Sequence, residues 1–298
     1  TSVYGNNKLG SIASTLKENN YTTAFFHGGY NGTMGFDNFT RKVGYDYYYG
    51  MNEYNNKKDY DGNWGIFDEP FLQYCVKQID TLTKPFHAAF FTLSSHHPYA
   101  MPEEHKNKFS KGTLIVHETV SYTDYALKRF FNEASKCDWF ENTLFLITSD
   151  HSGLTESKDF KTQLGLFKIP MIIYHPKMKS NIVSTQFVQQ IDVYPTIIDM
   201  LNIENEKIFT FGRSPFSEKE KYYIYYTNGE YLLMIGNYLS KYKQDGTIEL
   251  FDVEKDQTLK NNIANQQQEI TKKHIRFTQA FIQQYNNTII ENTTTISK

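Results

Sequence analysis

Apolar residues recur at helical spacing in four parts of the chain, and strand-like apolar runs alternate with them. The helical segments are 8–18, 66–82, 116–134 and 188–201, and the strand-like runs are 21–26, 86–93, 143–148 and 169–174. In the first helical segment, Leu9, Ile12 and Leu16 share one face. The strand-like runs are largely apolar on both faces, which is typical of parallel strands covered by helices. This alternation predicts a doubly wound α/β fold with a mixed, mostly parallel sheet flanked by helices.

A different pattern begins near residue 222, where short strand-like runs are separated by turn signals. Asn228-Gly229 and Asp245-Gly246 are dipeptides that favour the tight turns of β-hairpins. We therefore predict a small antiparallel sheet in this part of the chain.

A final helical period runs from about residue 266 to residue 285. The Asn- and Thr-rich stretch 286–295 lacks periodicity, and we expect it to form a frayed tail. Together these patterns predict a main α/β domain over residues 1–215 and a C-terminal subdomain over residues 216–298, in which the final helix packs on the antiparallel sheet.

Charge and hydropathy exclude several classes of function. The chain has 31 Lys and Arg residues against 33 Asp and Glu residues, and these charges are dispersed, which argues against a nucleic-acid-binding surface. No apolar run approaches the ~20 residues that a membrane-spanning helix needs. The chain begins with Thr1 rather than Met, so we expect a processed protein or a fragment. Cys75 and Cys137 have no metal-ligand spacing and are expected to be small apolar side chains in helices.

Histidines follow three of the predicted strands. They are His27, His96 in a His-His pair with His97, and His151, which follows Asp150. Open α/β sheets bind ligands at the carboxyl ends of their strands, so convergence of three such segments indicates a site. Asp150 and His151 offer a carboxylate and an imidazole, which suit Zn, Mn or Fe, but further ligands from distant segments are needed.

Five segments carry a family resemblance. They are KLGSIASTLKENNYTTAFFHGG (8–29), SSHHPY (94–99), SDHSG (149–153), DVYPT (192–196) and IELFDVEKDQTLKNNIAN (248–265). In the same order, these segments resemble parts of the lipoteichoic acid synthases and related phosphoglycerol or phosphoethanolamine transferases, which are members of the sulfatase and alkaline phosphatase superfamily. The resemblance implies an alkaline phosphatase/sulfatase-like α/β fold, of which the chain is the C-terminal part of the catalytic domain.

The resemblance also implies roles for individual residues. Asp150 and His151 become metal ligands, while His96 and His27 become groups that contact the phosphate or glycerol of the substrate. Manganese is the expected divalent metal, with zinc, magnesium and calcium as alternatives. A further acidic ligand and a nucleophilic Thr are expected upstream of residue 1, so we expect no nucleophile in this chain and no activity from this fragment alone.

The loop after His27 departs from the family pattern. In the lipoteichoic acid synthases a Trp and an Arg follow this His closely, but residues 27–37 contain neither. An Arg would pair with a phosphate in bidentate fashion, whereas Asp37 would repel it, so donor and acceptor are left open. We expect Asp37 to cap the following helix rather than to face a cationic head group, and Asp192 to stabilise a helix start.

For the intact protein, the resemblance implies a metal-dependent phosphoglycerol- or phosphoethanolamine-type transferase of the bacterial envelope. A metal-activated Thr would attack a phosphodiester, and an alcohol or water would resolve the phosphoryl-enzyme. The expected partner is a phospholipid head group or glycerophosphate-type substrate, at the extracellular or periplasmic face of the cell membrane, with the anchor on segments outside this chain. The alternatives are a sulfatase or phosphodiesterase that uses water, and a catalytically incomplete binding module.

Overall fold

A computed structural model describes residues 3–179, 183–184, 186–204 and 208–295. Helices and strands alternate in the first two thirds of the chain, and four consecutive strands and a long helix follow. In chain order the elements are α1 (Ile12–Glu18), β1 (Thr22–His27), α2 (Phe36–Lys42), β2 (Tyr47–Tyr49), α3 (Met51–Tyr54), α4 (Asp68–Asp80), β3 (Phe86–Phe91), α5 (Val116–Ala134), β4 (Phe145–Thr148), β5 (Met171–Tyr174), α6 (Val193–Met200), β6 (Tyr222–Thr227), β7 (Glu230–Ile235), β8 (Tyr238–Lys243), β9 (Ile248–Asp252) and α7 (Gln268–Ile290).

The first five strands form two separate hydrogen-bonded sheets, one of three strands and one of two. β1 lies between β2 and β3 and runs parallel to both, with Ala24 aligned to Tyr47 and to Ala88. β4 and β5 pair antiparallel, with Ile147 opposite Ile172. Among the described residues no strand pairs with the second edge of β3 or of β4. The run 143–148 was expected to be a parallel strand covered by helices, yet β4 pairs antiparallel with one neighbour and has no fully buried residue.

The main core lies where α4 and α5 cover the parallel sheet. One face of α4 is buried, at the helical spacing that predicted this element: Phe71, Leu72, Cys75, Val76 and Ile79. These side chains pack with Phe26 of β1 and with Ala126 and Phe130 of α5. Burying each large apolar side chain contributes roughly 1.5–3 kcal/mol, so this layer anchors the strands whose ends carry the predicted site.

The C-terminal part is a meander of β6, β7, β8 and β9, as its turn signals predicted. Asn228 and Gly229 both have positive φ (50° and 82°), as the tight hairpin between β6 and β7 requires. α7 packs on this sheet through Phe277, whose ring centroid lies 4.8 Å from that of Tyr222. The parallel sheet, the antiparallel meander and the final helix together confirm the predicted fold class.

The expected frayed tail is wrong for its first part, because α7 continues to Ile290. Contacts with the other end of the chain stabilise it. Asn7 Nδ2 donates to the carbonyl oxygen of Ile289 (2.6 Å), and the backbone N–H of Lys8 donates to Asn292 Oδ1 (2.7 Å). Such contacts between distant segments have no local sequence signal, since residues 286–295 carry no periodicity.

Candidate active site

The three predicted strand ends lie at one edge of the sheet. A cavity of about 300 Å³ is lined by the starts of β3 and β4, and a cavity of about 380 Å³ is lined by both strands as far as Thr92 and Thr148. β3 and β4 therefore point in the same direction. β1 is parallel to β3, so the segments that carry His27, His96 and Asp150 all leave the sheet at its carboxyl edge.

His27 lies beneath the surface of this edge. It is 2% exposed, and its ring packs against Phe36 and Phe91 at centroid distances of 4.6 and 5.8 Å. Its Nδ1 lies 3.3 Å from the hydroxyl oxygen of Tyr48. Burial lowers the pKa of His27 to about 4, so the imidazole is neutral at pH 7. Its contact with a substrate stays a prediction, and as a neutral group it would hydrogen-bond rather than form an ion pair.

His96 lies on the exposed loop after β3, and its tautomer follows from one contact. Its Nδ1 is 2.8 Å from the carbonyl oxygen of His97. A carbonyl can only accept, so Nδ1 carries the proton and, in the neutral ring, Nε2 keeps its lone pair. Nε2 can accept a proton or hydrogen bond and, when protonated, can donate one. The carbonyl oxygen of His97 is thus the atom that orients the His96 ring.

Trp64 is a site residue that the sequence patterns did not indicate. Its ring centroid is 4.3 Å from that of His96, and its Nε1 donates to the same His97 carbonyl oxygen at 2.6 Å. The carbonyl thus accepts from both side chains, which uses both of its lone pairs. Trp64 is one of only two tryptophans in the chain, but nothing in the sequence placed it beside a histidine 32 positions away.

The turn that carries Trp64 also reaches the loop after β1. Asp61 Oδ1 organises this turn by accepting hydrogen bonds from the backbone N–H groups of residues 63–65 at 2.7, 2.8 and 3.1 Å. A Cβ at Gly29 would lie 2.7 Å from Cε1 of His27 and 3.1 Å from the carbonyl oxygen of Trp64. The close approach of the two loops therefore requires a glycine at this position.

Asp68 holds the start of the His96 loop. It is fully buried, and its Oδ1 accepts from the backbone N–H groups of Leu93 (2.9 Å) and Ser94 (3.0 Å). Its Oδ2 accepts from the hydroxyl of Thr123 at 2.6 Å. Burial raises the pKa of Asp68, although these hydrogen bonds oppose the rise. One carboxyl group thus ties α4 and α5 to the end of β3.

Asp150 and His151 present a pair of ligand atoms to solvent, with side chains 55% and 72% exposed. His151 Nδ1 lies 2.8 Å from the carbonyl oxygen of Ser152 and so carries the proton, which leaves the Nε2 lone pair 3.3 Å from Asp150 Oδ2. Two lone pairs at this separation repel unless a proton or a metal ion lies between them. Metal–ligand distances of about 2.1 Å to each atom allow one ion to bind both.

Gln190 connects the Asp150 loop to the rest of the edge. Its side-chain amide donates to the carbonyl oxygens of Ser149 (3.0 Å) and Asp150 (2.7 Å). Gln190 also lines an apolar cavity of about 540 Å³ that reaches Phe36, the ring that covers His27. The cavity therefore touches one neighbour of the predicted metal ligands, Gln190, and one neighbour of His27, Phe36. No sequence pattern indicated this link.

A complete metal-binding cluster is not formed by the residues that the structure describes, since no three His, Cys, Asp or Glu side chains converge there. Asp150 and His151 nevertheless fit a divalent ion as two ligands of a larger set, by atom type and separation. The Ser152 carbonyl oxygen supplies the outer contact that commonly orients a metal-bound imidazole.

The two remaining acidic candidates make structural contacts near the starts of α2 and α6. Asp37 lies in the first turn of α2, where a carboxylate interacts favourably with the helix dipole, and its Oδ2 is 3.6 Å from Arg41. The prediction that Asp37 is the capping residue is wrong, because Gly35 occupies that position. Asp192 directly precedes α6, but its carboxylate makes no capping hydrogen bond to that helix. It accepts instead from the backbone N–H groups of Arg213 (2.7 Å) and Gln189 (2.8 Å), so its role is structural but differs from the expected one.

Comparison with known proteins gives a consistent set of relatives. The sulfatase family model matches residues 3–203. Lipoteichoic acid synthases 1 and 2 of Bacillus subtilis (strain 168) are 27% and 28% identical over 246 and 250 residues, which cover 76% of this chain and 38% and 37% of theirs. The lipoteichoic acid synthase of Staphylococcus aureus (strain USA300) is 24% identical over 78% of this chain and 38% of its own. The chain thus spans less than two fifths of these relatives.

Solved structures share the fold. A protein in the alkaline phosphatase superfamily from Vibrio parahaemolyticus superposes with a TM-score of 0.71 at 22% identity, over 85% of this chain and 62% of that one. The lipoteichoic acid synthase LtaP from Listeria monocytogenes superposes with a TM-score of 0.65 at 17% identity, over 94% and 74%. Likeness at these identities concerns the architecture, and it agrees with the predicted α/β fold.

Proposed function

Because the chain belongs to the sulfatase family, we propose that the protein is a phosphotransferase of this family that acts on phosphodiester head groups of the phosphoglycerol or phosphoethanolamine type. The observation that carries this proposal is the Asp150–His151 pair, whose oxygen and nitrogen lone pairs lie 3.3 Å apart at the carboxyl edge of the sheet. The similarity to lipoteichoic acid synthases supports transfer over hydrolysis.

Members of this superfamily generally use a divalent metal, and we propose manganese here, with zinc, magnesium or calcium as alternatives. Asp150 Oδ2 and His151 Nε2 would hold the ion, and the Ser152 carbonyl would keep the imidazole in place. When bound, the ion supplies charge neutralisation at phosphate oxygens and lowers the pKa of a nucleophilic hydroxyl. The remaining ligands and the nucleophilic Thr are proposed to come from polypeptide outside this chain.

His96 and His27 would act differently because their surroundings differ. His96 Nε2 is exposed and free to accept a proton from an incoming alcohol, or to donate one to a leaving oxygen when protonated. His27 is neutral and covered, so it would position a substrate hydroxyl or an adjacent ring rather than neutralise a phosphate. The charge of the phosphate would therefore be balanced mainly at Asp150 and His151, through the ion that they hold.

The proposed substrate is a phospholipid head group or a related glycerophosphate, met at the extracellular or periplasmic face of a bacterial cell membrane. Among the helices of the described residues, none combines the length and apolar character that crossing a bilayer demands. In this proposal, segments outside this chain would attach the protein to the membrane.

A hydrolase is the second candidate, and one observation favours it. Residues 27–37, which cover the start of the site, contain no Arg or Lys to pair with the phosphate of a lipid donor. A sulfatase or phosphodiesterase whose donor is not a phospholipid does not require that cation, and it passes the group to water.

Two measurements test this proposal: the metal content and the turnover of the protein expressed from its full reading frame. The wild-type protein is expected to bind a divalent ion at near stoichiometry, and Asp150→Ala and His151→Ala are expected to lose it, because each removes one of two adjacent ligand atoms. Asp159→Ala is the matched control, since Asp159 is also an exposed carboxylate of the loop after β4. Elemental analysis measures the metal, and assays on glycerophosphodiesters and aryl sulfates measure turnover.

Each outcome separates the candidates. Diester cleavage with transfer to an added alcohol supports the transferase, while release to water alone, or turnover of aryl sulfates, supports the hydrolase. Unchanged metal content in Asp150→Ala would refute the ligand assignment. Neither metal nor turnover in the longer product would indicate a binding module that keeps the fold.

A further inference from the structure

The peptide groups on both sides of Asp150 are held by one side chain. The amide nitrogen Nε2 of Gln190 donates to the carbonyl oxygen of Ser149 at 3.0 Å and to that of Asp150 at 2.7 Å. The first carbonyl belongs to the peptide group that precedes the Cα atom of Asp150, and the second belongs to the peptide group that follows it. Because peptide groups are rigid planes, holding both of them fixes the φ and ψ angles of Asp150.

The second of these peptide groups passes the constraint to the carboxylate. The Asp150 carbonyl and the backbone N–H of His151 are the two ends of one plane. Gln190 holds the carbonyl end, and the N–H end donates to Asp150 Oδ1 at 2.8 Å. Since Oδ1 is engaged in this way, Oδ2 is the oxygen that lies 3.3 Å from His151 Nε2. The direction of the predicted carboxylate ligand, and the point from which the His151 side chain starts, therefore follow from the plane that Gln190 fixes.

The other hydrogen bonds of this loop are local. Within the part of the chain that the structure describes, the Ser149 carbonyl oxygen also lies 3.3 Å from the Thr148 hydroxyl, and His151 Nδ1 donates to the carbonyl oxygen of Ser152. These partners are neighbours along the chain, so they move with the loop. Gln190 is 40 positions away from Asp150 and ties the loop to the segment before α6.

The segment that carries Gln190 has firm contacts of its own. Gln189 bonds to β6 as a neighbouring strand would: its Oε1 accepts from the backbone N–H of Ile224 (2.9 Å), and its Nε2 donates to the carbonyl oxygen of Tyr222 (3.0 Å). On the other side of Gln190, Asp192 is 6% exposed and accepts from the backbone N–H of Gln189 at 2.8 Å. Gln190 is thus placed by the meander and by the start of α6, independently of the Asp150 loop.

We propose that Gln190 is a positioning residue that keeps Asp150 Oδ2 and His151 Nε2 directed at one divalent ion. The inference rests on the proposed function for the metal alone, because the two hydrogen bonds of Gln190 are the same whichever reaction the site catalyses. Gln190 would act through the backbone and not as a ligand, as the Ser152 carbonyl acts on the imidazole ring.

Gln190→Met tests this role. Methionine has a similar length but no N–H group to donate, so both bonds to the loop are lost. In the protein expressed from its full reading frame, we expect the Kd for Mn²⁺ to rise roughly 10- to 100-fold, as is common when a group that orients metal ligands is removed. Isothermal titration with Mn²⁺ measures this change.

The chain offers a matched control on α7. Gln279 is also exposed, and its Nε2 donates to the Tyr242 hydroxyl at 3.0 Å. Gln279→Met likewise removes a side-chain donor, and it should leave the Kd for Mn²⁺ unchanged. Melting temperatures of both variants should stay within about 2 °C of the wild-type value, as for other exposed side chains.

A second readout does not involve the metal. ¹⁵N relaxation of the metal-free protein gives order parameters for the backbone amides of Asp150 and His151, which are about 0.85 for rigid backbone and under about 0.6 for flexible backbone. We expect the wild-type values to lie near the rigid limit and those of Gln190→Met to fall towards the flexible one. Gln279→Met should keep the wild-type values.

The outcomes separate this inference from the proposed function. Wild-type protein that binds no Mn²⁺ would refute the metal assignment, and the inference with it. Wild-type binding with an unchanged Kd in Gln190→Met would overturn the inference alone, and unchanged order parameters in that variant would do the same. A lower melting temperature with the Kd unchanged would show that Gln190 only stabilises the fold.

Discussion

At the scale of single residues, the candidate site is organised by backbone carbonyls that select histidine tautomers. The carbonyl of His97 makes Nδ1 of His96 the protonated nitrogen, and the carbonyl of Ser152 does the same for His151. In both rings the Nε2 lone pair is therefore the atom left for chemistry. His27 is controlled differently, by burial that keeps it neutral.

Trp64→Phe tests how far the tautomer of His96 depends on its neighbour. Phenylalanine keeps an aromatic ring against His96 but removes the Nε1 donor to the His97 carbonyl, which then has one partner fewer. A hydrogen bond is worth about 0.5–1.5 kcal/mol, so in the full-length protein we expect kcat to fall roughly 2- to 10-fold and the pH profile to shift. ¹⁵N chemical shifts of the His96 ring report the tautomer directly.

The other tryptophan provides the control for this prediction. Trp139 donates from its Nε1 to Asp80 at 3.2 Å and is 5% exposed in the core. Trp139→Phe should lower stability without altering the His96 spectrum. If Trp64→Phe leaves both the spectrum and the pH profile unchanged, Trp64 only fills space and does not position His96.

At the scale of elements, the junction of β3, α4 and α5 supports the His96 loop. Asp68 forms the junction with a single buried carboxyl group. In Asp68→Asn the oxygen that accepts from the Thr123 hydroxyl becomes an N–H₂ donor, so this hydroxyl loses its acceptor and the backbone N–H groups keep only a neutral one; we expect a loss of about 1–3 kcal/mol in the free energy of unfolding. Urea unfolding measures this loss.

A second carboxylate serves as the comparison for Asp68. Asp138 is 79% exposed at the side chain and pairs with Lys84 at the surface, so Asp138→Asn should change the free energy of unfolding by under about 1 kcal/mol. Faster hydrogen exchange at Leu93 and Ser94 should accompany the loss in Asp68→Asn. Equal stability of the two variants would contradict the role of Asp68.

The elements also differ in how well their sequence predicted them. α5 was predicted at 116–134 and spans Val116–Ala134, because its buried residues recur at helical spacing and Ala126, Phe130 and Ala134 pack in one core. β2 was missed, since three consecutive tyrosines carry no alternation and the strand exists only by pairing with β1. α7 was predicted to end at residue 285 and ends at Ile290, held there by Asn7.

At the scale of the whole molecule, buried histidines set the response to acid. Burial lowers the pKa of His27, His87 and His274 from 6.5 to about 4. Between these values the unfolded chain binds protons that the folded protein excludes, so stability is complete above pH 6.5 and falls as the pH drops towards 4. Each group contributes up to ~1.4 kcal/mol per pH unit within this window.

Urea unfolding at pH 7.5 and pH 5 measures this effect. His274 lies 1% exposed with Nδ1 2.9 Å from Ser240 Oγ, and His274→Gln should reduce the difference between the two pH values by roughly 2 kcal/mol or less, since one of three titrating groups is removed. A pH dependence that His274→Gln does not reduce would contradict this assignment.

The sequence alone determined the succession of helices and strands, the antiparallel C-terminal meander, the family and the places of the candidate residues after β1, β3 and β4. Short stretches of sequence determine those features, through hydrophobic periodicity, turn dipeptides and short motifs. Tertiary structure alone decided that His27 is buried, that Trp64 meets His96 and that Gln190 meets the Asp150 loop. Each depends on contacts between distant segments, such as Trp64 with His97 and Asn7 with Ile289, and no window of sequence encodes which distant segment will be the neighbour.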